Sequence, residues 1–221
     1  MYLLGLLVLA IVGFWDSYFS QLLDFEKDFN FYFHFHASTA MLWILILIAQ
    51  PLLIRKKKLH LHRRVGKMAA VLMLLFFISV ILLTHYQQVD SKAPHYIGVY
   101  IPFKDLFLLV IFYGIAMYYR KVVFIHARAM IATGIIFIEP ALIRAVRSLF
   151  PSLESPYMWT IGMIYSILIL LIFFGRRYSR GWWIFPLLLC MYIVIHSIVV
   201  FRLPMGAFDS FANWFLSLPL T

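Results

Sequence analysis

The chain has 221 residues, of which 64% are hydrophobic and 13% are charged, and its mean hydropathy is +0.93. A soluble domain cannot hide that much apolar surface, because its exterior must be solvated, so the composition excludes a soluble globular protein. The formal net charge of +10 does not indicate nucleic-acid binding, because the cations lie in short clusters between apolar runs, where they act as topology signals.

Seven apolar segments follow one another along the chain, and most approach the roughly 20 residues that cross a bilayer as a helix. They cover about 2–15, 31–54, 66–86, 102–119, 129–148, 158–175 and 182–201. No tract between them is long enough for a separate soluble domain. We therefore predict an all-α polytopic transmembrane helix bundle of about seven spans, with 1–221 forming a single integral-membrane domain in a lipid bilayer.

The N-terminal segment MYLLGLLVLAIVGFW resembles a signal peptide only in its hydrophobicity. It lacks a basic start and a small-residue cleavage pattern. We predict a retained first helix, which is short and can continue into the amphipathic DSYFSQLLDF. The lone cysteine, Cys190, lies inside the last apolar segment, so no intramolecular disulfide framework can form.

Charge is distributed asymmetrically over the connecting loops. Thirteen of the nineteen cations lie in the loops 55–67, 120–128 and 176–180, none of which contains an acid. Eight of the nine acids fall on the other side: Asp16, Asp24, Glu26, Asp28, Asp90, Asp105, Glu154 and Asp209. The positive-inside rule places the three basic loops in the cytoplasm. The N-terminus is then predicted to be cytoplasmic and the C-terminus outside.

The ninth acid, Glu139, falls well inside the fifth apolar segment, next to Pro140. An ionisable group at that depth should face the bundle interior or a wet cavity. Pro140 lacks an N–H and so frees the carbonyl of Ile136, which favours a kinked, polar pocket. Glu139 is therefore either a catalytic proton acceptor or a structural group that is protonated or paired.

Arg144 and Arg147 follow on the same segment, three residues apart and hence on one helical face. They can extend to the outer headgroups. Alternatively, they anchor an anion, such as a lipid phosphate, a haem propionate or an acidic substrate.

Three histidines are predicted to share an outer-leaflet layer with Glu139. His36, His85 and His196 lie toward the outer ends of the second, third and seventh segments. His36 recurs with Trp43 and Gln50 every seven residues, which places the three on one stripe and indicates an inward face. His34 lies on nearly the opposite face, so His34 and His36 are not expected to bind one ion together.

Three classes of function fit this layer. The first is a redox or electron-transfer protein with haem b between two helices, His36 pairing with His196 or His85 as axial ligands. The second is a zinc-dependent membrane lipid hydrolase with three protein ligands and a water. The third has no metal and is a transporter, a proton-coupled protein or an assembly subunit with other membrane partners. We interpret His60, His62 and His126 as interface or capping residues, because the surrounding cations repel a metal.

Two sequence motifs carry a family resemblance. LHLHRRVGK resembles the L-H-R-R-x-G-K loop of a group of uncharacterised bacterial multi-pass inner-membrane proteins, through His62, Arg63, Arg64 and Gly66. HARAMIATGIIFIEPALIRAVRSLF is similar to an H-x-R-x-M…R pattern in related families, through His126, Arg128, Met130 and Arg144. The resemblance covers about 31–147 and implies a bacterial inner-membrane location. A distant similarity to cytochrome b561-type bundles implies haem, although four successive helices with buried histidines are lacking.

Overall fold

The computed structural model describes residues 2–23, 29–89, 91, 96–175, 180–201, 203–204 and 206–221, and it confirms the all-α class, with 86% helix. The α-helices in these ranges are α1 (Tyr2–Gly13), α2 (Ser20–Leu23), α3 (Phe31–Arg55), α4 (Leu59–Val89), α5 (Tyr96–Tyr118), α6 (Val123–Leu149), α7 (Pro156–Gly175), α8 (Ile184–Val200) and α9 (Gly206–Leu216). A π-helical turn, Trp15–Phe19, lies between α1 and α2. Six residues of the predicted charge pattern lie outside the described part: Asp24, Glu26, Asp28, Asp90, Arg176 and Arg177.

Five of the described helices, α3 to α7, are long and apolar enough to cross a membrane. A sixth candidate is the pair of segments on either side of Phe14, which meet at 55°. The apolar α8 has 17 residues, a length of about 26 Å against a hydrocarbon core of roughly 30 Å. The chain is therefore an integral membrane protein, while the seven-span count and the orientation of the termini stay predictions.

Two of the helices that follow basic segments begin earlier than the hydropathy pattern predicts. α4 begins at Leu59 rather than near residue 66, and α6 begins at Val123 rather than near residue 129. The prediction stopped where the cations begin. Leucine, arginine and lysine are good helix formers, however, so the helix continues through them. Arg63, Arg64 and Lys67 consequently lie on the first turns of α4 and not in a loop.

Contacts divide the chain into two units, the first comprising Met1–Leu7, Lys27–Leu106 and Pro204–Thr221. Its main feature is the α3–α4 hairpin. The predicted stripe of α3 faces α4: the side chain of Trp43 is fully buried, and the amide of Gln50 donates to the carbonyl of His62 at 3.3 Å. The inward face predicted for this stripe is confirmed.

A short C-terminal helix, α9, covers one end of the first unit. It lies beyond residue 201, where the last predicted apolar segment ends. Phe208, Phe211 and Phe215 recur at helical spacing and pack around Val99 and Phe103 of α5. Because Phe215 also meets His85, α9 lies at the end of α4 remote from the α3–α4 turn.

The second unit comprises Val8–Glu26 and Phe107–Leu203. Helix α6 packs against both α7 and α8, and small buried residues let the backbones approach: Ala129, Ala132, Thr133, Gly134, Ala141 and Ala145. Gly13, at the end of α1, lies so close to α6 that an added Cβ would overlap the carbonyl oxygen of Ala141. Glycine is therefore required at position 13 for α1 to contact α6 at Ala141, the residue that follows Pro140.

Arg128 connects α6 to the segment that follows α7. The buried guanidinium donates to the carbonyls of Gly175 at 2.8 Å and of Arg180 at 3.0 Å. Gly181 adopts a left-handed conformation with φ of 78° against Ile125, where a Cβ would be crowded. Arg128 was predicted to be a loop cation; it is instead a structural residue that holds the end of α7.

Candidate functional site

Glu139 lies deep in α6, ten residues or about 15 Å before the helix ends at Leu149. Only 3% of the residue is exposed. Pro140 follows it inside the helix, so the carbonyl of Ile136 receives no amide proton from position 140. This burial confirms the prediction that Glu139 faces the protein interior.

His196 of α8 meets Glu139. Its Nε2 lies 3.3 Å from Oε2 of Glu139, and only 1% of the residue is exposed. Its other ring nitrogen, Nδ1, lies 3.2 Å from the hydroxyl of Tyr165 on α7. Three helices therefore contribute one continuous chain of titratable groups, from the Tyr165 hydroxyl through the imidazole to the carboxyl.

Aromatic rings enclose the imidazole of His196. Tyr192, one turn earlier on α8, stacks on it at 4.8 Å, and Tyr165 stacks at 5.8 Å. Tyr157 of α7 meets it edge-on at 6.0 Å. This enclosure fixes the plane of the imidazole, so that both ring nitrogens point at their partners.

The hydrogen-bond chain can exist in two directions. With an ionised Glu139, Nε2–H of His196 donates to the carboxylate and the Tyr165 hydroxyl donates to Nδ1. With a protonated Glu139, the carboxyl O–H donates to Nε2, and Nδ1–H donates to the tyrosine oxygen. Passing from the first arrangement to the second moves the hydroxyl proton of Tyr165 to Nδ1 of His196 and the Nε2 proton to Glu139, and the tyrosine oxygen then takes up a proton from outside the three residues. The imidazole changes tautomer in this step, and one proton is in net effect delivered to Glu139. The sequence predicted Glu139 and His196 in one layer, but it gave no sign of Tyr165 or Tyr192.

An open apolar groove of about 730 Å³ lies between α1, α6 and α7. Its walls include Ile138 and Ser166, the chain neighbours of Glu139 and Tyr165. The hydroxyl of Ser166 donates within its own helix, to the carbonyl of Gly162. The groove is therefore lined almost wholly by apolar side chains, and Glu139, Tyr165 and His196 are not among its lining residues.

Arg144 and Arg147 lie on the last turns of α6. The guanidinium of Arg144 donates to the carbonyl of Pro140 at 2.7 Å and lies over the ring of Phe14 at 4.5 Å. Arg147 is exposed in the final turn, where the helix dipole favours a cation. The next residue, Ser148, donates to the carboxylate of Asp16 at 2.5 Å. An anion anchor at the two arginines stays a prediction.

His36 belongs to the first unit and lies between α3 and α4. Its Nδ1 lies 3.2 Å from the hydroxyl of Ser79, which also contacts Thr39 at 3.0 Å. Ser79 and Thr39 are buried. Hydroxyl and imidazole groups that bond across helices stabilise helix pairs within membranes, so these contacts give His36 a structural role in the hairpin.

His85 also belongs to the first unit. Its Nδ1 lies 2.6 Å from the hydroxyl of Thr221, and its ring meets Phe215 edge-on at 5.3 Å. Its Nε2 is buried and has no hydrogen-bond partner among the described residues. Ser79, the partner of His36, precedes His85 by six residues, about 9 Å along α4 and about 120° around it. This offset does not favour one small ion bound by both histidines.

The predicted metal set is therefore divided between units, with His36 and His85 in the first and His196 in the second. Within the ranges that the structure describes, no group of three or more histidine, cysteine, aspartate or glutamate residues is placed to hold a metal ion. Ligation by these histidines stays a prediction. Near the basic segments, Nδ1–H of His126 donates to the carbonyl of Ala116 at 2.8 Å, which fits the interface role that we predicted.

The sequence interpretation missed a largely buried pair of opposite charges in α5. Asp105 was predicted on the outer side, but α5 begins at Tyr96 and places it in the third turn. Nζ of Lys104 lies 2.7 Å from its carboxylate, and the lysine side chain is 1% exposed. The asymmetry of acids between the two sides is accordingly weaker by one residue than predicted. The sequence did contain a signal for this pair, because Lys104 and Asp105 are adjacent opposite charges inside an apolar segment.

Comparison with protein-family models, with curated proteins and with solved structures finds no match to this chain. The resemblance to bacterial multi-pass membrane proteins stays a prediction.

Proposed function

We propose that this protein is a proton-coupled membrane protein of the transporter class, in which Tyr165, His196 and Glu139 pass a proton within the bilayer. The observation that carries the proposal is the unbroken chain of two hydrogen bonds across α7, α8 and α6, at 3.2 and 3.3 Å.

The burial of Glu139 explains why a proton shared along these hydrogen bonds matters energetically. An ionised carboxyl at the centre of a membrane helix costs about 2.5–3.5 kcal/mol on insertion scales. Sharing a proton between His196 and Glu139 keeps the pair close to neutral, whereas losing it leaves a buried negative charge. Any event that stabilises or removes that charge, such as opening to water or binding a cationic ligand, is therefore coupled to proton uptake or release.

Reconstitution into liposomes tests the proposal. A pH-sensitive dye is enclosed, a membrane potential is imposed with valinomycin, and the internal pH is followed. We expect wild-type protein to move protons faster than empty liposomes and Glu139→Gln to remove the difference, because the amide keeps the shape but cannot be deprotonated. Glu154→Gln, an exposed acid in the α6–α7 connection, is the matched control and should behave as wild type. A Glu139→Gln protein with full activity would contradict the proposal.

A haem-linked redox protein is the second candidate, supported by the buried Nε2 of His85 without a hydrogen-bond partner in the described part of the chain. His196 fits less well, because both of its ring nitrogens already have protein partners. Absorbance spectra of the purified protein, oxidised and dithionite-reduced, test this reading. A Soret band that shifts on reduction and disappears in His85→Ala would establish it. The zinc hydrolase stays a prediction that no contact of the described residues favours.

A further inference from the structure

The end of the α3–α4 hairpin carries a strongly basic surface that the proposed function does not use. Seven cations lie between residues 55 and 67, all of them exposed: Arg55, Lys56, Lys57, Lys58, Arg63, Arg64 and Lys67. We name this surface the cationic hairpin end. It contains no acid, and none of the seven forms an ion pair with a residue that the structure describes.

The backbone conformation at Lys57 shows that a cation is placed here against local preference. Lys58 N–H donates to the carbonyl of Leu53 and Lys57 N–H to that of Ile54, both at 2.9 Å. This pattern is a Schellman motif, whose left-handed position is usually glycine. Lys57 occupies it with φ of 55°, although a side chain is disfavoured there. Departures of this kind concentrate at functional positions.

The residues around the cationic hairpin end indicate that it lies at the level of the lipid headgroups. Apolar side chains are interleaved with the cations and are largely exposed, with Ile54 at 47%, Leu59 at 49% and Leu61 at 39%. Membrane-spanning helices continue from both sides of the turn. Exposed apolar groups at the end of a span lie where acyl chains meet headgroups, so the neighbouring cations lie at the level of lipid phosphates.

The hairpin holds this surface in a fixed shape. The amide of Gln50 donates across to the carbonyl of His62, and His62 N–H donates to the carbonyl of Lys58 at 3.0 Å. The turn and the first helical residues of α4 are therefore attached to α3. A fixed constellation of cations favours binding, because little conformational freedom is lost when an anion is bound.

We propose that the cationic hairpin end binds the phosphate groups of anionic phospholipids in the adjoining leaflet. Topology alone does not require so many cations, since the 120–128 segment carries only three, Arg120, Lys121 and Arg128. The excess charge, the left-handed lysine and the apolar residues between the cations together fit a lipid headgroup site. The inference is independent of the proton chain.

Native mass spectrometry of the full chain in detergent tests this site, with phosphatidylglycerol and phosphatidylcholine titrated separately. We expect tighter binding of phosphatidylglycerol, weakened by salt because exposed charges are screened. Lys56→Gln/Lys57→Gln should weaken it by about fivefold for each cation removed. Arg120→Gln/Lys121→Gln removes two exposed cations elsewhere and should leave binding unchanged.

A second variant separates binding from folding. Lys57→Gly suits the left-handed position, so the melting temperature should stay the same or rise while phosphatidylglycerol binding weakens about fivefold. Three outcomes would overturn the proposal: equal binding of both lipids, equal weakening by the two double variants, or displacement of phosphatidylglycerol by inorganic phosphate alone. The last outcome would identify a site for a soluble phosphate.

Discussion

Tyr165→Phe tests the role of the hydroxyl at one end of the proton chain. The change keeps the ring that stacks on His196 at 5.8 Å and removes only the oxygen at 3.2 Å from Nδ1. We expect proton flux in liposomes to fall by about a hundredfold or more, the range for a positioned proton donor or acceptor. The cost in stability should be about 1 kcal/mol, the contribution of one hydrogen bond.

Tyr113→Phe is a control for general loss of a buried hydroxyl. Tyr113 lies on α5, in the second unit, and has no part in the chain to Glu139 described above. Its variant should keep wild-type flux. If Tyr165→Phe also keeps wild-type flux, proton transfer does not use the tyrosine hydroxyl, and the chain ends at His196.

The residues of this site differ in how well the sequence predicts them. A buried acid and a histidine in apolar segments stand out, because ionisable groups are expensive there. Glu139 and His196 were therefore found from the sequence. Tyr165 and Tyr192 were not, since tyrosine is common in this chain, with 13 copies, and its burial against His196 depends on how α7 and α8 pack.

At the scale of the helices, the apolar segments were predicted well and their ends were not. Hydropathy locates α3, α5 and α7 because helices that contact lipid acyl chains are built from apolar side chains. Hydropathy cannot locate the start of α4, because the first turns of this helix contain the cations that precede its apolar region. Helix α9 was missed because it has only 11 residues, and its stability comes from packing of its phenylalanines on α5.

The contact of α1 with α6 offers a prediction at this scale. Gly13→Ala places a Cβ on the carbonyl oxygen of Ala141, so α1 must move away from α6. Overpacking of this kind typically costs about 1–3 kcal/mol. We expect a lower melting temperature in detergent and reduced proton flux, because Ala141 lies two residues from Glu139.

Gly5→Ala is the matched control for that substitution. Gly5 lies on the same helix, and an added Cβ would have no neighbour within 4 Å. Alanine is also the better helix former, by up to about 1 kcal/mol, so its melting temperature should stay the same or rise. Equal melting temperatures for the two variants would mean that the close approach at Gly13 does not stabilise the protein.

For the molecule as a whole, the membrane class follows from composition, whereas topology depends on whether α8 crosses the bilayer. Composition fixes the class because so much apolar surface has no place in a soluble protein. Composition does not decide whether α8 crosses the bilayer, because its length of about 26 Å is slightly less than the hydrocarbon thickness of roughly 30 Å. A bacterial inner-membrane location and partner subunits also stay predictions.

Contacts within the first unit nevertheless indicate on which side of the membrane the C-terminal segment lies relative to Lys57. His85 lies 26 residues, or about 39 Å, along α4 from Leu59, and it contacts both Phe215 of α9 and Thr221. The C-terminal segment is therefore close to the end of α4 that is remote from the cationic hairpin end. If α4 spans the membrane, the C-terminal segment and Lys57 lie on opposite sides. With α5, α6 and α7 also crossing, this arrangement requires α8 to cross as well.

Cysteine labelling tests that reasoning. In a Cys190→Ala background, single cysteines replace Lys57, Glu154 or Ser217, all of which are exposed. A membrane-impermeant maleimide is applied to intact cells and to inverted vesicles. We expect Lys57→Cys to react only in inverted vesicles and the other two only in intact cells. Ser217→Cys reacting on the same side as Lys57→Cys would mean that α8 does not cross, and the chain would then have an even number of spans after Lys57.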